Sequence, residues 1–278
     1  MSFLKYILDR EWLLDHLHDR QVRIVDCRFT LTDPEKGRQD YLTGHLPGAS
    51  YFDLEKDLSS PVGLHGGRHP LPNLDQLVKK LEQSGINEDS TVVVYDNGEE
   101  AFAGRFWWML QYLGHEKVYV LNGGFKQWVL ADLPVTTDIP LHEPAHFKYQ
   151  VKPGILAQYS EVQDVVSGAK SDVVLIDSRE EKRYLGLEEP IDKKAGHIPS
   201  AINKPWMEGL EDGYYKPAGE QHERFSELSS DQQIIVYCGS GVTATPNYLA
   251  LKEAGFKNVK LYVGSFSDWI SYDGNKID

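Results

Sequence analysis

Two stretches of the chain are apolar at every position: Val92-Val93-Val94-Tyr95 and Ile234-Ile235-Val236-Tyr237. Short continuous apolar runs suit strands buried on both faces of a parallel sheet. Each is followed by a stretch of helical character. The first covers residues 104–113 and stops at Gly114; the second covers about 244–254 and stops at Gly255. A glycine just past the last apolar position is a helix C-cap signal. Strands alternating with helices predict an α/β fold with parallel sheets and right-handed crossovers.

The same pattern occurs twice. The first half contains VRIVDCR, GHLPGA, TVVVYD and LNGGFKQW in that order; the second contains VVLIDSR, GHIPSA, QIIVYC and YVGSFSDW. Asp26 matches Asp177 (177−26=151), His45 matches His197 (197−45=152), Asp96 matches Cys238 (238−96=142) and Trp128 matches Trp269 (269−128=141). A period of about 150 residues means duplicated domains and not a solenoid. The segment 138–154 carries Pro140, Pro144, Pro153 and Gly154 with little helical periodicity, as a linker would. The expected domains are 1–140 and 152–278, each a mostly parallel sheet flanked by helices.

Charge narrows the partners. There are 29 basic and 42 acidic residues, a net charge of −13, and no Lys/Arg-dense block. Nucleic acid and anionic lipid are therefore not expected partners. An anionic substrate would need a site that is basic against the overall field. Cys27 and Cys238 are the only cysteines, one in each half, so no disulfide framework is expected. The apolar stretch at the N-terminus is too short and too soon charged for a signal peptide, and no 18-residue apolar run exists. The expected location is cytoplasmic, away from membranes.

The candidate chemistry lies in Tyr237-Cys238-Gly239-Ser240-Gly241-Val242-Thr243-Ala244. A buried strand ends, a cysteine follows, then a loop with two glycines, then a helix. Reactive groups of open parallel sheets gather at the carboxyl ends of strands. Glycines let backbone N–H groups curl around one point, and a helix start favours an anion there. For cysteine that anion is the thiolate, the nucleophilic form. Thr243 stands where an N-cap belongs, with Pro246 in the first turn. A lone cysteine at a strand end is more often a small buried hydrophobe; the glycines and the helix start favour the nucleophile. The matching position in the first half is Asp96.

On these motifs the chain resembles the tandem-domain rhodanese family of thiosulfate and 3-mercaptopyruvate sulfurtransferases, over essentially its whole length. The marks are Asp177-Ser178-Arg179, Gly196-His197-Ile198-Pro199 and the cysteine loop, with Asp96 making the first domain the inactive copy. The resemblance implies that Cys238 accepts a sulfane sulfur as a persulfide and passes it to a thiophilic acceptor: cyanide, a thiol or a thioredoxin-like protein. The donor would be a small anion, and no cofactor or metal is expected.

Thiosulfate-type members carry cations inside the loop; here those positions are Gly239 and Ser240, as in the mercaptopyruvate type. The resemblance assigns Arg183 to substrate binding, together with Gly239, Gly241, Val242 and Thr243 of the loop. Arg179 is open between substrate binding and a structural ion pair. A second substrate arginine would fall near Asp192, where this chain has none; Lys193 and Lys194 adjoin it without offering a bidentate clamp. The proton-handling set of that type matches Glu55, His69 and Ser240, with Arg68 adding positive charge. His45, His197, Asp26 and Asp177 occur in both halves, which points to fold maintenance. Cys27 reads as packing, and Trp107, Trp108, Trp128 and Trp269 as core or interface anchors.

Rival readings are weaker. A cysteine phosphatase needs an arginine six residues after its nucleophile, where this chain has Ala244. A non-enzymatic binding module would not need the cysteine and its loop. No CxxC or HExxH spacing suggests a metal, and Gly239-Ser240-Gly241 lacks the third glycine of a dinucleotide site.

Overall fold

A computed structural model describes residues 4–278; Met1, Ser2 and Phe3, at the start of the first expected domain, lie outside the described residues. The strands of the first half are β1 (Ile7–Leu8), β2 (Val22–Asp26), β3 (Ala49–Tyr51), β4 (Thr91–Tyr95) and β5 (Val118–Leu121), interleaved with α1 (Arg10–His16), α2 (Lys36–Thr43), α3 (Leu74–Gln83), α4 (Ala101–Tyr112) and α5 (Gly124–Leu130). The sheet has the order β1-β5-β4-β2-β3 and is parallel throughout.

The second half has α6 (Tyr159–Val166), β6 (Val173–Asp177), α7 (Glu181–Tyr184), β7 (Ile202–Asn203), a hairpin of β8 (Leu210–Glu211) and β9 (Tyr214–Tyr215), α8 (Ala218–Arg224), β10 (Gln233–Tyr237), α9 (Thr245–Glu253), β11 (Val259–Leu261) and α10 (Ser265–Trp269). Its sheet order is β11-β10-β6-β7, again parallel. An isolated parallel bridge from Leu156 to Leu261 stands where β1 meets β5 in the first sheet.

Register shows the duplication. Asp26 aligns with Tyr95 across β2 and β4, and Asp177 aligns with Tyr237 across β6 and β10. Asp96 and Cys238 are thus the first residues beyond equivalent central strands. In each half the aspartate grips an arginine two residues on, at 2.7 Å for Arg28 and 2.6 Å for Arg179. That arginine also donates to the carbonyl of Gly44 or Gly196, before the histidine of each GH(L/I)P segment. Tyr95 Oη donates to Asp26 and accepts from Leu46 N–H; Tyr237 Oη accepts from Ile198 N–H. A repeated, fully hydrogen-bonded buried charge cluster is what a retained fold element requires. His45 and His197 bond the carbonyls of Tyr41 and Tyr184, in keeping with structural roles.

The halves share one apolar core. α4 is buried nearly all round and packs on α9, and a single cluster joins Val94, Trp107 and Leu110 to Val236, Tyr248 and Leu249. Residues 145–152 run back along the first half, with Ala145 N–H on Glu82, Gln150 N–H on Leu113 and Lys152 N–H on Tyr112. Among the described residues no helix is long and apolar enough to cross a membrane. Thr243 is not the cap of α9: Ala244 holds the N-cap position in a right-handed conformation with no capping side chain, and Pro246 lies in the first turn. Thr245 N–H donates to Val242 O at 3.0 Å, so the chain already turns across Thr243 before the helix begins.

Candidate active site

Cys238 is 1% exposed, at the floor of the interface between the halves. Its backbone is clamped: its N–H donates to Ser265 Oγ at 3.1 Å, and its carbonyl accepts from Phe266 N–H at 2.9 Å. Sγ accepts from Gly241 N–H at 3.2 Å. Gly241 sits at φ +73, and a Cβ there would overlap the Val263 carbonyl, so only glycine permits this approach.

The first half shows what the same loop does with a longer side chain. Asp96 Oδ1 accepts from the N–H groups of Gly98, Glu99 and Glu100, and Oδ2 from those of Phe102 and Ala103. Burial pushes this carboxyl up while the amides pull it down. Sγ lies one bond nearer the backbone than a carboxylate oxygen. A second sulfur about 2.05 Å beyond Sγ would project toward the matching amides of the second loop.

The remaining site groups come from both halves. Loop 61–72 of the first half crosses over: Gly66 N–H donates to Asp268 and Arg68 N–H to Ser267 Oγ. This delivers His69, whose Nδ1 is 2.8 Å from Ser240 Oγ. Burial, with Arg105 and Arg68 adding to it, lowers the His69 pKa to about 3, so the imidazole is neutral at physiological pH. Glu55 is exposed; it shares a cavity of about 770 Å³ with His69 but makes no hydrogen bond to it. The buried carboxylate of that segment is Asp53, with Oδ2 unpartnered.

Arg183, on α7, is bonded to Glu189 at 2.9 Å and Asp192 at 3.0 Å. Asp192 also pairs with Arg68. A Cβ at Gly239 would lie 2.8 Å from Arg68 Nη2 and 3.4 Å from both Arg183 Nη2 and Asp192 Oδ2, so this trio rests on the cysteine loop. Arg179 is corrected as a substrate ligand: its guanidinium is fully buried and taken up by Asp177, Glu189 and the Gly196 carbonyl. Val242 is 3% exposed and gives its carbonyl to Thr245; Thr243 is half-buried at the start of the following turn. Lys193 and Lys194 are exposed on a cleft of about 430 Å³ beside Arg68 and Asp192. Cys27 is buried and its thiol is pushed well up by burial, then by Asp26, which makes it unreactive.

Glu189 and Asp192, which hold Arg68 and Arg183, escaped the sequence reading, and so did a buried cation. Arg105 of α4 is 0% exposed, donates to the carbonyls of Gly241, Leu58 and His69, and forms no ion pair among the described residues. Burial lowers its pKa to about 10, against which the cysteine works. The signal was present as one charge inside Ala-Phe-Ala-Gly-Arg-Phe-Trp-Trp-Met-Leu, a helix otherwise apolar all round.

A profile of the rhodanese-like domain matches residues 9–131 and 160–272. A probable 3-mercaptopyruvate sulfurtransferase of Pseudomonas aeruginosa is 40% identical over 272 residues, covering 95% of each chain. A thiosulfate sulfurtransferase of Rattus norvegicus is 34% identical over 277 residues, covering 95% of this chain and 91% of the relative. Among solved structures, the 3-mercaptopyruvate sulfotransferase SseA of Escherichia coli superposes with a TM-score of 0.84 at 33% identity, covering 95% of this chain and 99% of that one.

Proposed function

The chain belongs to the rhodanese-like family as a sulfurtransferase with two tandem domains, and from that premise we propose that it draws sulfur from 3-mercaptopyruvate, carries it on Cys238 and delivers it to a thiophilic acceptor. The contact between His69 and Ser240 carries this reading. Cleaving carbon–sulfur in mercaptopyruvate leaves an enolate that must gain a proton, whereas thiosulfate releases sulfite and needs no proton at carbon. A neutral imidazole paired with a hydroxyl beside the cysteine fits the first task. No cation stands within the loop itself, and the guanidinium groups of Arg68 and Arg183 lie over Gly239, where a planar carboxylate suits them.

The steps balance. Cys238 thiolate attacks the donor sulfur; the new S–S bond forms as the C–S bond breaks, and its electron pair goes to the donor carbon as an enolate. The donor's thiol proton passes by way of Ser240 and His69 to that carbon, leaving pyruvate and the persulfide anion. The outer sulfur is stabilised by loop amides of the kind that hold Asp96. Cyanide or a thiolate then attacks that sulfur, and the S–S pair returns to Cys238 as thiolate. Arg105, on the Gly241 carbonyl, positions the amide that faces Sγ. The acceptor is a small thiophile or a protein thiol.

The test is thiocyanate formation from 3-mercaptopyruvate and from thiosulfate, with cyanide as acceptor. Mercaptopyruvate is expected to give the higher kcat/KM, and Cys238→Ser to abolish transfer from either donor at unchanged Tm. A clear preference for thiosulfate ends the donor assignment; turnover by Cys238→Ser ends the persulfide route.

A further inference from the structure

The segment 185–194 is a loop whose Leu185, Leu187, Ile191, Lys193 and Lys194 are exposed, yet two of its side chains point inward: Glu189 and Asp192, the latter only 2% exposed. Glu189 sets this direction. Its Oε1 accepts from the N–H groups of Ile191 and Asp192 at 3.0 and 2.9 Å, while its carboxylate is anchored to Arg179 and Arg183. Asp192 then gives one oxygen to each of two guanidinium groups. Oδ1 pairs with Arg68 from the first half and Oδ2 with Arg183 from the second.

That is the arrangement a bound carboxylate adopts between two arginines. It lies directly over Gly239, the residue after the nucleophile. The donor of the proposed reaction holds its carboxylate three bonds from its sulfur, so with sulfur at Sγ the carboxylate must reach this same place. Glu189 already occupies part of Arg183, so a further carboxylate could join the guanidinium pair beside Asp192 only against strong repulsion. The bridge also closes the route inward: Arg68 lines both neighbouring cavities, and neither is lined by Cys238.

We propose that Asp192 is a built-in competitor that occupies the donor-carboxylate subsite of the resting protein and sets donor affinity and specificity by having to be displaced. The proposal rests on the mercaptopyruvate reading. It makes Arg68 the second cation of the subsite, across the domain interface, where the sequence offers no arginine at position 192. Displacement by an α-keto carboxylate leaves both guanidinium groups paired. An anion with no planar carboxylate to span them replaces Asp192 poorly.

The experiment uses the full chain carrying Asp192→Asn, with Asp192→Glu as the variant that keeps the competing charge. Steady-state kinetics with 3-mercaptopyruvate and cyanide are expected to show KM about tenfold lower in Asp192→Asn, with kcat changed less than KM, and KM near the wild-type value in Asp192→Glu. Pyruvate carries the same carboxylate and no transferable sulfur. Its affinity, measured calorimetrically on Cys238→Ser and on Asp192→Asn/Cys238→Ser, is expected to rise by a similar factor. An unchanged or raised KM together with unchanged or weaker pyruvate binding overturns the proposal and makes Asp192 a support of the arginines. Absence of mercaptopyruvate turnover in the wild type would instead strike the donor reading, and the pyruvate measurement would still judge the subsite.

Discussion

At the scale of single residues, His69 has a measurable signature. Its folded pKa is lowered to about 3 by burial, with Arg105 and Arg68 contributing, against an ordinary value of 6.5. The sign follows from linkage: the unfolded chain takes up a proton below pH 6.5 that the folded chain does not. The stability tied to the neutral ring is complete above 6.5 and is lost as pH falls toward about 3, at up to about 1.4 kcal/mol per pH unit. Glutamine at this position keeps a hydrogen-bonding amide near Ser240 and cannot titrate. Between pH 7 and pH 4.5 the wild type is expected to lose about 2 kcal/mol more than His69→Gln, read from urea midpoints at the two pH values. Parallel losses in the two proteins would mean that the ring is open to solvent. The same neutrality predicts that His69 contributes no acid limb near pH 6 to the rate profile.

At the scale of elements, the contact of α4 with α9 fixes the cysteine loop. Gly104 of α4 faces Thr245, the first residue of α9; a Cβ there would lie 2.5 Å from Thr245 Oγ and 3.1 Å from Thr245 Cβ. Thr245 cannot retreat, because its hydroxyl is engaged with Val242 O at 2.7 Å and Ala101 O at 3.1 Å. Helix propensity alone would make Gly104→Ala stabilising by about 1 kcal/mol. Overpacking at a buried contact costs about 1–3 kcal/mol, and here it wins. The expected result is a Tm lower by several degrees and a reduced kcat, since α9 carries the end of the loop. A higher Tm would show that the helices separate freely. These elements also divide what the sequence made legible from what it hid. β4 and β10 were readable because every position in them is buried, and the Asp–Arg–Gly cluster was readable because it occurs twice. Glu189 and Asp192 were not, because an acidic irregular loop reads as solvated surface until the fold brings Arg179, Arg183 and Arg68 to it. Arg105 was hidden for a related reason: its partners are carbonyls more than thirty residues away along the chain, which leave no pattern in side-chain types.

At the scale of the whole molecule, each half covers the other's loop, and the two covers differ. Loop 61–72 of the first half reaches over Cys238 with Arg68 and His69, and its neighbouring cavities open to solvent. The β8–β9 hairpin of the second half lies over the Asp96 loop: Tyr215 is buried with its N–H on Asn122, Gly213 nears the Gly98 carbonyl, and Tyr214 packs at Gly123. Asp96 and Glu100 are sealed there at 0% exposure, and burial pushes the Glu100 carboxyl well up. The nucleophile alone therefore does not make the proposed site: Arg68, His69 and Arg105 come from the opposite half, while Ser240 and Arg183 come from its own. Moving the cysteine tests this. The variant Asp96→Cys/Cys238→Ser places a thiol in a loop whose amides already converge on that position, yet gives it no imidazole and no guanidinium pair. It is expected to form no thiocyanate from 3-mercaptopyruvate, with a Tm measurement establishing that it is folded. Transfer within about tenfold of the wild-type rate would mean that the amide loop is sufficient by itself. In that case the positions of Arg68, His69 and Arg105 across the interface would be a matter of packing and not of chemistry.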